Sequence, residues 1–281
     1  MGPLISVSEL QGLRLRAGGL VLLDCGYDLF DGGAGERAYA DGHLPGAVYA
    51  HLERDLSGPK SPRGPIEGGR HPLPSRVDWA ARLAAWGITP DTPVVSYDDQ
   101  GGSYAARAWW MLRWMGHVPV AVLDGGKAAW QAAGGELVTW GPSGAGPVEY
   151  PVTEPGMPTV TAASLGARLA QVNLVDARSV ERFRGQSEPL DTRAGHIPGA
   201  VNRFFRDNLQ ADGRFKPVEQ LRAEWRPLLR TGLEVVHQCG SGVTACHNLL
   251  ALAHAGLGEG VLYPGSWSEW SADPSRPVAV G

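Results

Sequence analysis

The chain contains few cysteines and no long run of apolar residues. Its three cysteines among 281 residues are Cys25, Cys239 and Cys246. An odd and sparse set favours free thiols in a reducing compartment over a disulfide framework. The sequence has neither an N-terminal apolar segment nor a stretch of about 18 apolar residues, so we expect a soluble cytoplasmic protein without a signal peptide or membrane span.

Lysine is also scarce, and the sequence contains no long run of residues with the same charge. Of the 25 basic residues only Lys60, Lys127 and Lys216 are lysines, and the net charge is −4. Without a basic run, neither a nucleic acid nor a membrane surface is an expected partner. A chain of this length is sufficient for two domains of roughly 140 residues each.

The sequence repeats itself once, which indicates a duplicated domain. The matching segments are Val21–Asp24 with Asn173–Asp176, Gly42–Val48 with Gly195–Val201, Thr92–Asp98 with Leu233–Cys239, and, more loosely, Leu123–Gly126 with Leu262–Gly265. Between the copies lies a segment rich in proline and glycine that is typical of an extended linker. We therefore predict an N-terminal domain over 1–140, a linker over 141–158 and a C-terminal domain over 159–281.

Short apolar runs alternate with helix-like segments in both copies. The predicted helices include Trp79–Trp86, Ala105–Met115, Ala162–Ala170 and Val243–Ala255. This alternation predicts an α/β fold in which each domain has a central, mostly parallel sheet flanked by helices. Ligands of such folds bind at the carboxyl ends of the strands, and Cys239 follows a predicted strand, Glu234–Gln238.

The loop Cys239–Ala245 joins that strand to a helix. A cysteine in this position is favoured as a thiolate, because loop N–H groups and the helix N-terminus both attract negative charge. Glycines allow successive N–H groups to converge on one point. The candidate binding groups of the loop are those of Gly240, Gly242, Val243 and Thr244.

The residues around Cys239 favour some chemistries over others. A cysteine phosphatase needs an arginine six residues after the nucleophile to hold phosphate, and that residue here is Ala245. A protease needs a nearby general base; His237 could point the same way as Cys239, although a structural role is more common there. Zinc spacing is absent, and Cys246 is expected to pack in the core or to act as a resolving thiol. A compact, anionic persulfide on Cys239 fits the loop better.

The chain resembles the tandem-domain, rhodanese-type sulfurtransferases over nearly its whole length. The resemblance rests on the active-site loop, on the paired Gly-His-Leu/Ile-Pro-Gly-Ala segments, and on the segments Ala106–Trp110 and Leu262–Trp270. It implies two rhodanese-like domains, of which only the C-terminal one is catalytic. Asp98 stands in the N-terminal copy where Cys239 stands in the other, so we expect the first copy to be chemically silent.

Within that family, the neutral loop is similar to that of 3-mercaptopyruvate sulfurtransferases, whereas thiosulfate-preferring members usually carry Arg and Lys after the cysteine. The resemblance implies sulfur transfer from mercaptopyruvate to Cys239, pyruvate release, and transfer onward to thioredoxin, a small thiol or cyanide. It implies no cofactor and no metal. Alternatives are a thiosulfate sulfurtransferase and a non-catalytic rhodanese-like binding module.

The resemblance also suggests roles for single residues. Cys239 is the predicted nucleophile and sulfur carrier. Ser241 and His71, which matches a histidine of the family's N-terminal domain, form the predicted relay. The family's relay aspartate falls on His51 here, and Glu53 or Asp55 could replace it.

Two arginines are the predicted ligands of the substrate carboxylate. Arg182 matches the family's anion-binding arginine, and a guanidinium offers a two-pronged fit to a carboxylate. The second family arginine falls at Leu190-Asp191, so we expect Arg193 to replace it. Arg178 is expected to pair with Asp176 instead.

Overall fold

A computed structural model of the protein describes residues 1–16, 19–141, 146 and 148–281. The chain forms two compact units. Unit 1 comprises Met1–Ser57, Pro74–Met157 and Ala211–Phe215, and unit 2 comprises Gly58–Leu73, Pro158–Gln210 and Lys216–Gly281. Residues 142–145 and 147 of the predicted linker lie outside the described residues.

Unit 1 contains a five-stranded sheet in the order β1-β5-β4-β2-β3, in which every pair is parallel. Its strands are β1 (Leu4–Ile5), β2 (Val21–Asp24), β3 (Ala47–Tyr49), β4 (Val94–Tyr97) and β5 (Val120–Leu123). Its helices are α1 (Val7–Arg16), α2 (Ala34–Asp41), α3 (Arg76–Ala85), α4 (Ala105–Trp114) and α5 (Gly126–Ala132). All residues of β4 and β5 are buried, because helices cover a parallel sheet on both faces.

Unit 2 contains a four-stranded sheet in the order β7-β6-β8-β9, again parallel throughout. Its strands are β6 (Val172–Asp176), β7 (Val201–Asn202), β8 (Glu234–Gln238) and β9 (Val261–Leu262). Its helices are α6 (Ala162–Gly166), α7 (Val180–Phe183), α8 (Val218–Trp225), α9 (Ala245–Ala255) and α10 (Ser266–Ala272). The predicted α/β fold with two parallel sheets is confirmed.

The predicted helix over Ala162–Ala170 is shorter in the structure. Thr161 caps its beginning, with its side chain accepting a hydrogen bond from the N–H of Ser164, and α6 ends at Gly166. Glycine weakens a helix because its backbone loses the most conformational entropy on folding. The rest of the predicted span contains a short 3-10 helix, Leu169–Gln171.

The paired Gly-His-x-Pro-Gly-Ala segments form the same local structure in each unit. His43 stacks on Tyr39 with ring centroids 3.9 Å apart, and His196 stacks on Phe183 at 3.8 Å. In each case the Nδ1 atom lies 2.8 Å from the main-chain oxygen of the residue on which the ring stacks. These histidines therefore serve the fold.

None of the helices among the described residues is long and apolar enough to span a membrane.

Candidate active site

Cys239 directly follows β8, which lies between β6 and β9 in the sheet of unit 2. The residue is buried, with 2% of its surface exposed. Its N–H donates to Ser266 Oγ at 3.1 Å, and its carbonyl accepts from the N–H of Trp267 at 3.0 Å. The N–H of Ser268 donates to the carbonyl of Gly240 at 2.8 Å. The start of the loop Cys239–Ala245 is therefore fixed to the first residues of α10.

The loop conformation requires glycine at position 242. Gly242 has φ +76°, and a β-carbon there would lie 2.3 Å from the carbonyl oxygen of Pro264. A larger residue would therefore be strained and would also clash with the segment that leads into α10. Ser266, which receives the hydrogen bond from Cys239, itself has φ 53°.

Several N–H groups of the loop have no acceptor. Those of Gly240, Ser241, Val243 and Thr244 donate to nothing within the described part of the chain. The loop leads directly into α9, a helix of eleven residues. Free N–H groups beside a helix N-terminus attract negative charge, so the loop is suited to hold an anion next to Cys239.

Ser241 and His71 lie together in unit 2. His71 Nδ1 is 2.8 Å from Ser241 Oγ, and the two residues are 1% and 5% exposed. His71 comes from the segment Gly58–Leu73, which packs in unit 2 although it precedes α3 in the chain. A buried hydroxyl bonded to an imidazole can transfer a proton to a neighbouring group.

The residues considered for the relay carboxylate belong to unit 1. There the N–H of His51 donates to Asp55 Oδ2 at 2.8 Å. Asp55 is buried and also contacts Arg82 at 3.2 Å and Arg54 at 3.6 Å. Glu53 is exposed, and its N–H donates to His51 Nδ1 at 3.1 Å.

The two predicted arginines have different surroundings. Arg182 Nη1 lies 3.3 Å from the position that a β-carbon on Gly240 would take. Arg193 instead donates to the carbonyls of Trp270, Ser271, Asp273 and Arg276 at 2.6–3.1 Å. Its donor nitrogens are thus used to cap the C-terminal end of α10, where main-chain carbonyls lack helical partners.

Arg70, the neighbour of His71, was not among the site residues predicted from the sequence. Arg70 Nη2 also lies 3.3 Å from the position of a β-carbon on Gly240. Its Nη1 donates to Asp191 Oδ1 at 2.6 Å. The signal available in the sequence was its place beside a predicted relay histidine, combined with a carboxylate at Asp191 where an arginine was expected.

Charges alternate along a buried network behind these arginines. Asp191 contacts Arg182 at 3.0 Å, Arg182 contacts Glu188 at 2.6 Å, and Glu188 contacts Arg178 at 3.2 Å. Arg178 pairs with Asp176 at 2.6 Å, as expected from the sequence. Burial raises the pKa of Asp191, against the opposing effect of the Arg70 charge. The network fixes the guanidinium groups that face the loop.

Two further residues that the sequence brought into question, Cys246 and His237, are buried in the protein interior. The Cys246 thiol is fully buried and donates to the carbonyl of Gly242 at 3.4 Å. His237 is also fully buried, and neither ring nitrogen has a partner in the described part of the protein. Burial lowers the pKa of His237 to about 3, so the ring is neutral and makes no hydrogen bond to Cys239.

The matching loop of unit 1 is closed around a carboxylate. Asp98 Oδ1 accepts from the N–H groups of Gln100 and Gly102, both at 2.8 Å. Asp98 Oδ2 accepts from those of Tyr104 and Ala105 at 2.8 and 2.9 Å. Complete burial raises the pKa of Asp98, although the four N–H groups favour its charged form.

Unit 2 contains a cavity of about 430 Å³. Its lining includes Arg70, Asp191 and Ser268, together with Lys60 and several proline and glycine residues. Among the described residues, no group of three or more His, Cys, Asp and Glu side chains is placed to hold a metal ion.

The sequence model of one protein family, the rhodanese-like domain, matches this chain at residues 7–133 and 161–273. The chain therefore belongs to the rhodanese-like family and contains two copies of its domain, as the sequence predicted.

Similar proteins narrow the enzyme class of the chain to sulfurtransferases. The chain is 50% identical over 273 residues to a "Probable 3-mercaptopyruvate sulfurtransferase" of Pseudomonas aeruginosa, with 95% of each chain covered. It is 35% identical to the thiosulfate sulfurtransferase of Bos taurus, with 95% of this chain and 92% of that one covered. SseA of Escherichia coli, a 3-mercaptopyruvate sulfotransferase, matches with a TM-score of 0.80 and 29% identity, covering 96% of this chain and all of SseA. The predicted enzyme class, a sulfurtransferase, is confirmed.

Proposed function

We propose that the protein transfers sulfur from 3-mercaptopyruvate through a persulfide on Cys239 to a thiol acceptor or to cyanide. The observation that carries this proposal is the hydrogen bond between Ser241 Oγ and His71 Nδ1 at 2.8 Å. Ser241 is two residues from Cys239, so a proton-transferring pair lies beside the nucleophile. Such a pair is useful for a donor whose leaving group must be protonated on carbon.

The reaction begins with attack of the Cys239 thiolate on the sulfur of mercaptopyruvate. The new S–S bond forms as the C–S bond breaks, and the electron pair of that bond goes to carbon as the enolate of pyruvate. The enolate takes up a proton, for which the Ser241 and His71 pair is the proposed source, and pyruvate leaves. The terminal sulfur of the persulfide is then attacked by the acceptor, and Cys239 returns as the thiolate.

The groups around the loop have matching roles. The free N–H groups of Gly240, Ser241, Val243 and Thr244 would stabilise the thiolate and the persulfide anion. Arg182 lies close enough to Gly240 to bind the donor carboxylate. Two successive transfers through one covalent intermediate predict ping-pong kinetics.

Thiosulfate is the second candidate donor. It is favoured by the likeness to a thiosulfate sulfurtransferase and by Asp191 at a place where the mercaptopyruvate enzymes carry an arginine. When thiosulfate is the donor, the leaving group is sulfite, which does not have to be protonated on a carbon atom. The relay would then be dispensable.

The test compares mercaptopyruvate and thiosulfate as donors by measuring the release of pyruvate or sulfite. Mass spectrometry of the intact protein then detects whether one sulfur atom has been added. We expect mercaptopyruvate to give the higher kcat/KM and to add sulfur to Cys239. The variant Cys239→Ser should lose more than about 1,000-fold in kcat, because the nucleophile is absent. Cys246→Ser is the matched control, since that thiol is buried and bonded to Gly242.

Higher kcat/KM with thiosulfate would assign the donor to the second candidate. Turnover of either donor by Cys239→Ser at the wild-type rate would contradict the proposed intermediate.

A further inference from the structure

Ser268, the third residue of α10, contacts both segments that carry the proton-transferring pair. Its N–H donates to the carbonyl of Gly240 at 2.8 Å, and Gly240 directly precedes Ser241. Its Oγ accepts from the N–H of Arg70 at 2.9 Å, and Arg70 directly precedes His71. One buried residue, 2% exposed, therefore connects the neighbour of Ser241 with the neighbour of His71.

These contacts form part of a closed ring. Ser241 is joined covalently to Gly240, and His71 is joined covalently to Arg70. Ser268 connects Gly240 with Arg70. The contact of 2.8 Å between His71 Nδ1 and Ser241 Oγ completes the ring. Because supporting hydrogen bonds fix the geometry of a functional pair, the distance within this pair depends on Ser268.

The hydroxyl of Ser268 is itself fixed in orientation. It donates to the carbonyl of Gly265 at 3.1 Å, which leaves its lone pairs to accept the N–H of Arg70. Gly69, with φ +77°, packs directly on this turn, and a β-carbon there would lie 2.7 Å from Ser268 Oγ and 2.4 Å from the carbonyl oxygen of Gly265. The segment that carries His71 is thus held in close contact with the first turn of α10.

The equivalent helix of unit 1, α5, lacks this hydroxyl. Both helices are bonded to the residue that follows the central strand. The N–H of Lys127 donates to the carbonyl of Asp98 at 3.4 Å, as the N–H of Trp267 does to the carbonyl of Cys239 at 3.0 Å. The third residue of α5 is Ala128. The serine is therefore associated with the copy that contains the nucleophile and not with the fold that both copies share.

We propose that Ser268 is a positioning residue that holds His71 at hydrogen-bond distance from Ser241. The proposal rests on the proposed function for the role of that pair. Ser268 acts through its neighbours, the carbonyl of Gly240 and the N–H of Arg70, and not on the reacting atoms. Since a displacement of about 1 Å can slow a reaction about 100-fold, loss of this hydroxyl should reduce the rate of protonation.

The first test is Ser268→Ala, assayed with mercaptopyruvate. The segment should remain docked, because the N–H of Gly68 still donates to Glu269 Oε1 at 3.1 Å, but with a looser position of His71. We expect kcat to fall about tenfold. KM should change less than about threefold, because the contacts of Arg182 with acidic side chains do not involve Ser268.

Ser271→Ala is the matched control. Ser271 lies in the same helix and is also 2% exposed, but its Oγ has no hydrogen-bond partner in the described part of the chain. Its kcat should equal that of the wild type. Equal kcat values in Ser268→Ala and the wild type would overturn the proposal. Thermal denaturation verifies that each variant is folded.

A double-mutant cycle distinguishes positioning of the pair from general support of the fold. If Ser268 acts through the pair, Ser268→Ala should lower kcat by less than about twofold when Ser241→Ala is already present, because effects on one unit are not additive. If Ser268 only stabilises α10, the same loss of about tenfold appears in both backgrounds. The second result would reject the proposed role.

Magnetic resonance of protein with isotope-labelled histidine separates this proposal from the proposed function, since it requires no turnover. The ring-nitrogen signal of His71, identified by its loss in His71→Gln, should move in Ser268→Ala toward its position in Ser241→Ala. It should stay in place in Ser271→Ala. An unmoved signal in Ser268→Ala would reject the positioning role for any donor, whereas absence of mercaptopyruvate turnover in the wild type would reject the donor and leave this result intact.

Discussion

In the first copy of the domain, Asp98 follows β4 and accepts hydrogen bonds from four N–H groups of its own loop. In the second copy, Cys239 follows β8, and four N–H groups of its loop have no acceptor in the described structure. The strands before the two loops are equivalent by sequence. In the first copy the protein's own carboxylate thus accepts hydrogen bonds from the N–H groups of its loop, whereas the N–H groups of the second loop have no acceptor in the described structure.

The comparison shows how the loop of the first copy is stabilised. A carboxylate at position 98 stands where the second copy has Cys239, and it accepts hydrogen bonds from the N–H groups of its loop. Buried N–H groups without acceptors destabilise a protein. Among the described residues, the loop Cys239–Ala245 retains such groups, which is typical of sites where function conflicts with stability.

The strongest test of the difference between the loops removes the relay. Ser241 contacts His71, whereas Gln100, at the corresponding place in the first copy, donates to the carbonyl of Tyr27 at 2.7 Å. Ser241→Ala should reduce kcat with mercaptopyruvate about 100-fold, because general acid–base catalysis contributes at least this much. Steady-state kinetics with mercaptopyruvate and thiosulfate provide the measurement.

With thiosulfate the same variant should lose less than about fivefold, because sulfite leaves without protonation at carbon. Equal losses with both donors would mean that Ser241 shapes the loop and does not transfer a proton.

A second test removes the carboxylate of Asp98 from the loop that follows β4. Asp98→Ala leaves four N–H groups without an acceptor, three of them buried, and we expect it to destabilise unit 1 by about 3 kcal/mol. Asp98→Asn keeps one side-chain oxygen and should cost less. Scanning calorimetry measures both variants, and an unchanged transition in Asp98→Ala would show that the loop does not depend on its carboxylate.

The smallest expected effect concerns a buried histidine in each copy. His117 of unit 1 is bonded to Tyr150 Oη and to the carbonyl of Thr92, and burial lowers its pKa to about 4. Neither ring nitrogen of His237 in unit 2 has a hydrogen-bond partner in the described structure, and burial lowers the pKa of His237 to about 3. Below pH 6.5 the unfolded chain binds a proton at His237 that the folded protein excludes, so stability falls as the pH falls toward 3.

The variant His237→Phe removes this dependence. Between pH 7 and pH 5 its free energy of unfolding should fall by about 2 kcal/mol less than that of the wild type, as measured by urea denaturation. His254→Gln, at the partly exposed end of α9, is the control. An identical loss in His237→Phe and in the wild type would contradict the assignment.

The sequence predicts the fold well because the duplicated segments and the short apolar runs can both be read from it directly. The runs at β4 and β5 are continuously apolar, as expected for strands buried on both faces, and Cys239 stands out by its place between a strand and a helix. Helix boundaries were predicted less accurately than the helices themselves. The early end of α6 at Gly166 reflects the backbone entropy of one residue, which a pattern of apolar residues does not reveal.

The arrangement of arginines was harder to predict. Arg193 has the residue type and the position expected of a carboxylate ligand, yet its nitrogens bind the carbonyls at the end of α10. Arg70 lies 112 or more positions from Arg182 and Gly240 in the sequence, and no local pattern connects them. Only the packing of Gly58–Leu73 in unit 2 places its guanidinium beside the loop.

The packing of Gly58–Leu73 in unit 2 matters for how the gene could be divided. The boundary of the sequence repeat lies near residue 141, but the unit that contains Cys239 also requires residues 58–73, which are encoded before that boundary. A gene fission between the repeats would keep Cys239 on one product and leave His71 and Arg70 on the other. Fission at that point would therefore divide unit 2 between two polypeptides.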